Sequence, residues 1–292
     1  MKDNNLISRR EFIGGLVLAT TMGPLLASCS RPSWKLGCYT RAWGNRHYLI
    51  ALDGMVEAGY KYVGLSTHDN GRVIDRETLP EVAIQVGEEI KKRGLKLATL
   101  SGGGFDLKES IDGGIVQLKQ LIDNAAYCGA PIIQINDVPD PDLAEKFYKV
   151  ISESCDYAAE KGVMITVKPH GSTGAVCRSF VDKVGNKNFK LWYDPGNVCF
   201  YTEGKVNPVD DADKLDGVVV GMAVKDFRLP KNVSITPGTG MVDFPNLIKR
   251  LRKGGFKNGP LIVECLNDGD LSYVNEEARK TREFLEEITS NL

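Results

Sequence analysis

One phrase recurs along the chain: a helical pattern, a glycine, then a short apolar run. It reads "EAGYKYVGLS", "KRGLKLATLS", "YCGAPIIQIN" and "EKGVMITVKP", with glycines at Gly59, Gly94, Gly129 and Gly162. The spacings are 35, 35 and 33 residues. Glycine is favoured just past a helix end, where the backbone turns left-handed. A period in the mid-thirties suits one strand–helix unit. Gly255 in "KGGFKNGPLIVEC" repeats the phrase near the end.

Eight strands are expected from these runs and their neighbours: Lys35–Tyr39, Tyr62–Ser66, Lys96–Leu100, Pro131–Asn136, Met164–Lys168, Lys190–Asp194, Val218–Lys225 and Leu261–Leu266. Amphipathic stretches such as "ETLPEVAIQVGEEIKKR" and "DLAEKFYKVISESCDYAAEK" lie between them. Near-continuous apolar strands alternating with such helices call for a parallel sheet covered on both faces. Eight units in about 260 residues call for an α/β fold of one closed (β/α)8 TIM barrel over residues 34–292.

The first 28 residues read differently. "SRREF" carries the pair Arg9 and Arg10, a modestly apolar run follows, and "LLASC" ends at Cys29. That layout is a twin-arginine signal with a lipobox, Cys29 being the lipidated residue. The expectation is export, with a lipid anchor at Cys29, a tether at 29–33, and a barrel facing the periplasm. A transmembrane anchor suits the run poorly, since it is short and holds Gly14, Gly15, Gly23 and Pro24. The six cysteines after Cys29 are scattered and suggest no disulfide framework.

In barrels of this kind the chemistry gathers at the carboxyl ends of the strands. The polar residues there are His68 after the second strand, Asp137 after the fourth, Lys168 and His170 on the fifth, and Asp194 on the sixth. Lys225, Asp226 and Arg228 follow on the seventh, and Glu264 on the eighth. Charges that end apolar runs are expensive unless paired or functional. Lys168 and His170 share a strand face by their spacing. Lys168, His170, Asp194 and Glu264 are expected to converge as the catalytic group. His68, Asp137, Lys225, Asp226 and Arg228 are expected to contact substrate. Trp43 offers a ring for a sugar to stack on, although core packing is the default for such a ring.

These motifs resemble the xylose-isomerase-like barrels, the sugar isomerase and epimerase group that includes a DNA-repair endonuclease branch. The resemblance rests on "GVMITVKPHG", "LWYDPGN", "VKDF" and "PGTGMVDFPNLIKRLRKGGFKNGPLIVE", and covers residues 34–292. It implies a sugar or keto-sugar substrate and proton abstraction next to a carbonyl, as in isomerisation, epimerisation or β-elimination. It also implies a divalent metal (Mn, Mg or Zn) held by a Glu, an Asp, a His and a Glu on the last four strands. Asp194 and Glu264 match two of those metal ligands. Lys168 stands where the first Glu belongs, and Ala223 where the His belongs. Gly64 replaces an acidic residue often found on the second strand.

Two electrostatic readings of Lys168 follow. With a metal on Asp194 and Glu264, a neutral Lys168 is the base. Without one, a charged Lys168 relieves the repulsion of two carboxylates and stands in for the lost cation, and His170 moves the proton. Loss of two ligands favours the second. Nucleic acid fits poorly as a partner, because the chain has three histidines and a net charge of −1. The alternative to an enzyme is a lipoprotein that binds a carbohydrate without turning it over.

Overall fold

The glycines of the recurring phrase all hold left-handed backbone, with φ of +84° at Gly59, +71° at Gly94, +81° at Gly129, +72° at Gly162 and +104° at Gly255. Each ends a helix and starts a strand, which is the use the repeat implies. The computed structural model describes residues 34–292 apart from 109 and 291. Arg9, Arg10, Cys29 and the tether, on which the export and anchor readings rest, lie outside the described residues.

Eight parallel strands close a barrel. They are β1 (Lys35–Tyr39), β2 (Tyr62–Leu65), β3 (Lys96–Leu100), β4 (Ile132–Asn136), β5 (Met164–Lys168), β6 (Phe189–Tyr193), β7 (Val219–Val224) and β8 (Pro260–Val263). The helices are α1 (Tyr48–Glu57), α2 (Pro80–Lys92), α3 (Ile111–Cys128), α4 (Pro141–Glu160), α5 (Gly174–Val184), α6 (Pro195–Thr202), α7 (Pro208–Asp211), α8 (Phe244–Lys253) and α9 (Leu271–Ser290). A hairpin of Thr67–His68 with Gly71–Arg72, absent from the sequence expectation, follows β2. The expected strands are shortened at their ends. The sixth stops at Tyr193, the seventh at Val224 and the eighth at Val263.

Strand alternation separates two cores. Residues such as Ile165, Val167, Leu191, Val224 and Val263 pack outward, beneath the helices. A small inner cluster of Tyr39, Ala98, Trp192, Ala223 and Ile262 fills the barrel lumen. Two glycines make room for its large rings. A Cβ on Gly64 would lie 2.4 Å from Tyr39, and one on Gly221 would lie 2.2 Å from Trp192. An acidic side chain in place of Gly64 has no space beside Tyr39, which accounts for that departure from the resemblance.

Side chains two residues apart share a strand face. One step beyond the apolar cluster therefore comes a second layer. Trp192 leads to Asp194, Ala223 to Lys225 and Ile262 to Glu264, and Arg41 joins them from the 3-10 turn after β1. On β5, Thr166 leads to Lys168 by the same count. The lumen is apolar below and charged at its carboxyl end.

Candidate active site

The second layer is a compact ion cluster. Lys168 Nζ donates to Glu264 Oε2 at 2.8 Å and lies 3.2 Å from Asp194 Oδ2. Lys225 Nζ donates to Glu264 Oε1 at 3.0 Å and to Asn197 Oδ1 at 2.8 Å, and lies 3.9 Å from Asp194 Oδ2. Arg41 Nη1 donates to Glu264 Oε1 at 3.0 Å. Lys168 is 5%, Lys225 4%, Glu264 3% and Asp194 0% exposed, so water screens these charges little and each must find compensation from the others.

The titration behaviour follows. Burial opposes ionisation of Glu264, but Lys168, Lys225 and Arg41 outweigh it and hold the carboxyl well below its ordinary range. Burial likewise opposes charge on Lys225, and Glu264 with Asp194 outweighs it, raising the ammonium above its ordinary range. Glu264 and Lys225 therefore hold opposite charges at neutral pH.

Asp194 has two roles. It is the N-cap of α6, its Oδ1 accepting from Asn197 N at 2.8 Å, while Oδ2 faces the two ammonium groups. A buried carboxylate at a helix N-terminus is favoured by the unpaired N–H groups there. Asn197 and Tyr201, three and seven residues on, fall on the same helix face. Asn197 reaches Lys225, and its Nδ2 donates to Pro169 O at 2.7 Å.

His170 is at the exposed rim, outside the ion cluster. Its backbone N–H donates to Asp137 Oδ1 at 2.7 Å, and the Tyr201 hydroxyl is 3.2 Å from its ring nitrogens. Asp137 also accepts from the Ser172 hydroxyl, so it shapes the turn that presents His170. Burial raises the Asp137 carboxyl pKa against those hydrogen bonds. Partial burial, then the charges of Lys168 and Lys225, lower the His170 pKa below its ordinary 6.5. A lowered imidazole pKa means that the folded protein takes up this proton less readily than the unfolded chain. The neutral ring thus persists as pH falls below 6.5, while stability drops there because the unfolded chain gains the proton. The Cε1 proton of His170, followed by NMR, is expected to titrate with a midpoint below 6.5. A midpoint at or above 6.5 contradicts this environment.

Four expected substrate contacts have other partners in the structure. Trp43 is fully buried, and its Nε1 donates to Asn275 Oδ1 at 2.8 Å, so its ring packs α1 against α9 and offers no stacking face. Asp226 points away from the lumen. Its two oxygens accept from the backbone N–H groups of Phe227, Gly238, Gly240 and Val242, which pins the loop after β7. Arg228 is exposed and donates to Thr239 O at 2.7 Å, clasping the same loop. His68 has Nδ1 2.6 Å from Asp69 Oδ1 and lies edge-on to His47 and Tyr48. Arg41, Asn197 and Tyr201 are the residues that the sequence reading missed.

The profile of the xylose isomerase-like TIM barrel family matches residues 52–288. The chain belongs to that family. No curated protein matches it in sequence. Among solved structures, a xylose isomerase domain protein from Planctomyces limnophilus superposes with a TM-score of 0.69 at 20% identity, over 89% of this chain and 99% of that one. D-allulose 3-epimerase from a Methylomonas species, in complex with D-allulose, gives 0.67 at 16% identity, over 88% and 97%. The IOLI protein with a bound zinc atom gives 0.68 at 17%, over 88% and 98%. At these identities the likeness is one of fold.

A divalent ion of the kind this xylose isomerase-like resemblance implies does not fit the residues present. Three of the four oxygens of Asp194 and Glu264 accept hydrogen bonds, from Asn197 N, Lys168, and Lys225 with Arg41. The fourth, Asp194 Oδ2, faces both ammonium groups. Ala223, at the position of the expected metal-binding histidine, belongs to the apolar lumen cluster. No group of three His, Cys, Asp or Glu side chains among the described residues could hold a metal. A dication between the two carboxylates would have to displace two buried ammonium groups and would then meet their repulsion.

Proposed function

We propose that this barrel is an enzyme acting on a carbohydrate by removing a proton next to a carbonyl, with Lys168 and Lys225 as the electrophile. The supporting observation is the position of Lys168 Nζ, between Glu264 at 2.8 Å and Asp194 at 3.2 Å. A substrate oxygen that gains negative charge at the mouth meets fixed ammonium groups in a poorly screened site. Preorganised charge of this kind stabilises an enolate strongly, since nothing must reorient during the reaction. His170 carries the proton. Its neutral state supports a base role, and the Tyr201 hydroxyl beside it can hand a proton on.

Family membership and the sugar epimerases among the structural neighbours, one solved in complex with D-allulose and one in the presence of D-fructose, support a carbohydrate substrate. Isomerisation, epimerisation and β-elimination all pass through the same abstraction. The test is a panel of keto-sugars and sugar acids incubated with the protein in deuterium oxide. Loss of the carbon-bound proton next to the carbonyl, followed by NMR, is the expected result. Sugar binding without any exchange would identify a carbohydrate-binding protein instead.

A further inference from the structure

The ion cluster carries an unmatched positive charge. Three cations, Lys168, Lys225 and Arg41, converge on Glu264, and Asp194 is the second carboxylate among them. Three positive charges thus face two negative ones. Lys168 and Lys225 are buried with only a small exposed edge, whereas the Arg41 side chain is 38% exposed and looks out of the lumen.

A cleft of about 470 Å³ adjoins this exposed edge, between the loops after β1 and β8, with Arg41, Arg46, Thr67, Ser234 and Asp268 in its wall. Arg46 is half-buried there. Its Nη1 donates to Trp43 O at 2.8 Å and its Nη2 to Gly269 O at 2.7 Å. Those carbonyls belong to opposite walls, so the guanidinium is fixed in place. They neutralise none of its charge, and no carboxylate among the described residues lies within ion-pair distance of it. Asp268 offsets one charge in the wall without pairing. Cleft and cluster together keep an excess of one positive charge.

A fixed guanidinium whose partners are only carbonyls, as those of Arg46 are, retains donors and charge for a ligand, and the half-exposed Arg41 beside it shares its carboxylate partner Glu264 with two lysines. The planar guanidinium fork matches a carboxylate better than a hydroxyl. We infer that the substrate is a sugar acid, a uronic or keto-aldonic acid, whose carboxylate is held in this cleft by Arg41 and Arg46 while its carbonyl faces Lys168. The inference rests on the proposed reaction site and adds the charge class of its substrate.

The probes are D-glucuronate, D-galacturonate and 2-keto-D-gluconate, against D-glucose, D-galactose, D-fructose and D-glucose 6-phosphate, in titration calorimetry on the purified protein. A hydrogen-bonded charge pair of this kind is expected to favour the best acid over its neutral parent by about tenfold or more in affinity. The preference is expected to weaken as salt is raised. Arg46→Met is expected to bring the ratio of acid to neutral affinity to about one, and Arg46→Lys to retain part of it. Equal binding of acids and neutral sugars, no binding of any acid, tightest binding of the phosphate, or an acid preference that survives Arg46→Met each overturns the inference. Proton exchange on neutral keto-sugars without any acid preference would overturn this inference alone. Tight acid binding without exchange would overturn the proposed reaction alone.

Discussion

Replacing Glu264 by Gln is expected to lower stability by about 3–5 kcal/mol, the usual effect of removing one partner from a buried ion cluster. For a domain of this size that is a fall in melting temperature on the order of 10 °C. Lys168, Lys225 and Arg41 all converge on this carboxylate, and the amide leaves them with Asp194 alone. The effect has a defined pH dependence. The folded-state pKa of Glu264 is depressed, so its contribution is present above the unfolded value of about 4.3. It is lost only as pH falls through the much lower folded-state pKa. Thermal melts at neutral pH should therefore separate wild type from Glu264→Gln widely, and melts in strong acid should bring them together. Combining Glu264→Gln with Lys168→Met should recover part of the loss, because one stranded ammonium leaves with its partner. A single variant as stable as wild type at neutral pH would mean that the cluster does not hold the charges described.

Lys168→Met is expected to have the largest effect on turnover. Methionine keeps the length and apolar stem of the side chain and removes only the ammonium. Losing one preorganised group that faces a developing oxyanion costs about 10²–10³-fold in rate. The loss should fall on the maximal rate more than on substrate affinity, since the charge it stabilises is largest in the transition state. The double variant distinguishes stability from chemistry, because it should regain melting temperature and no activity. Proton exchange within a few-fold of wild type in Lys168→Met would remove the lysine from the mechanism.

The fold was legible because its signal repeats. Five helix–glycine–strand phrases, each with a glycine that must turn left-handed, leave few architectures open. The core of the site was legible for a related reason. Lys168, Asp194, Lys225 and Glu264 each end an apolar run, where a charge has to be explained. Arg41 was missed because the reading stopped at the end of the first strand, and Arg41 enters the site from the 3-10 turn that follows it. Asn197 and Tyr201 were missed because the expected sixth strand ends at Asp194 and no element was assigned to the residues just after it. The Asp-Pro pair in fact opens a helix, and counting three and seven residues from Asp194 finds both. Asp226 could have been set aside by parity, since it follows Lys225 and must face the other way. Trp43 gave no such signal. A buried tryptophan and a stacking tryptophan look alike in sequence, and the short 3-10 turn over Thr40–Trp43 breaks the strand alternation that would have placed it.

In the proposed reaction, ammonium groups do the work that the resemblance assigns to a divalent cation. The direct test is deuterium exchange into the sugar by protein stripped with a chelator and verified as metal-free by elemental analysis. The expected result is exchange at the rate of the untreated protein, with no gain on adding manganese, magnesium or zinc. Stoichiometric metal in the untreated protein, with exchange lost on stripping and restored by adding the metal back, would contradict it.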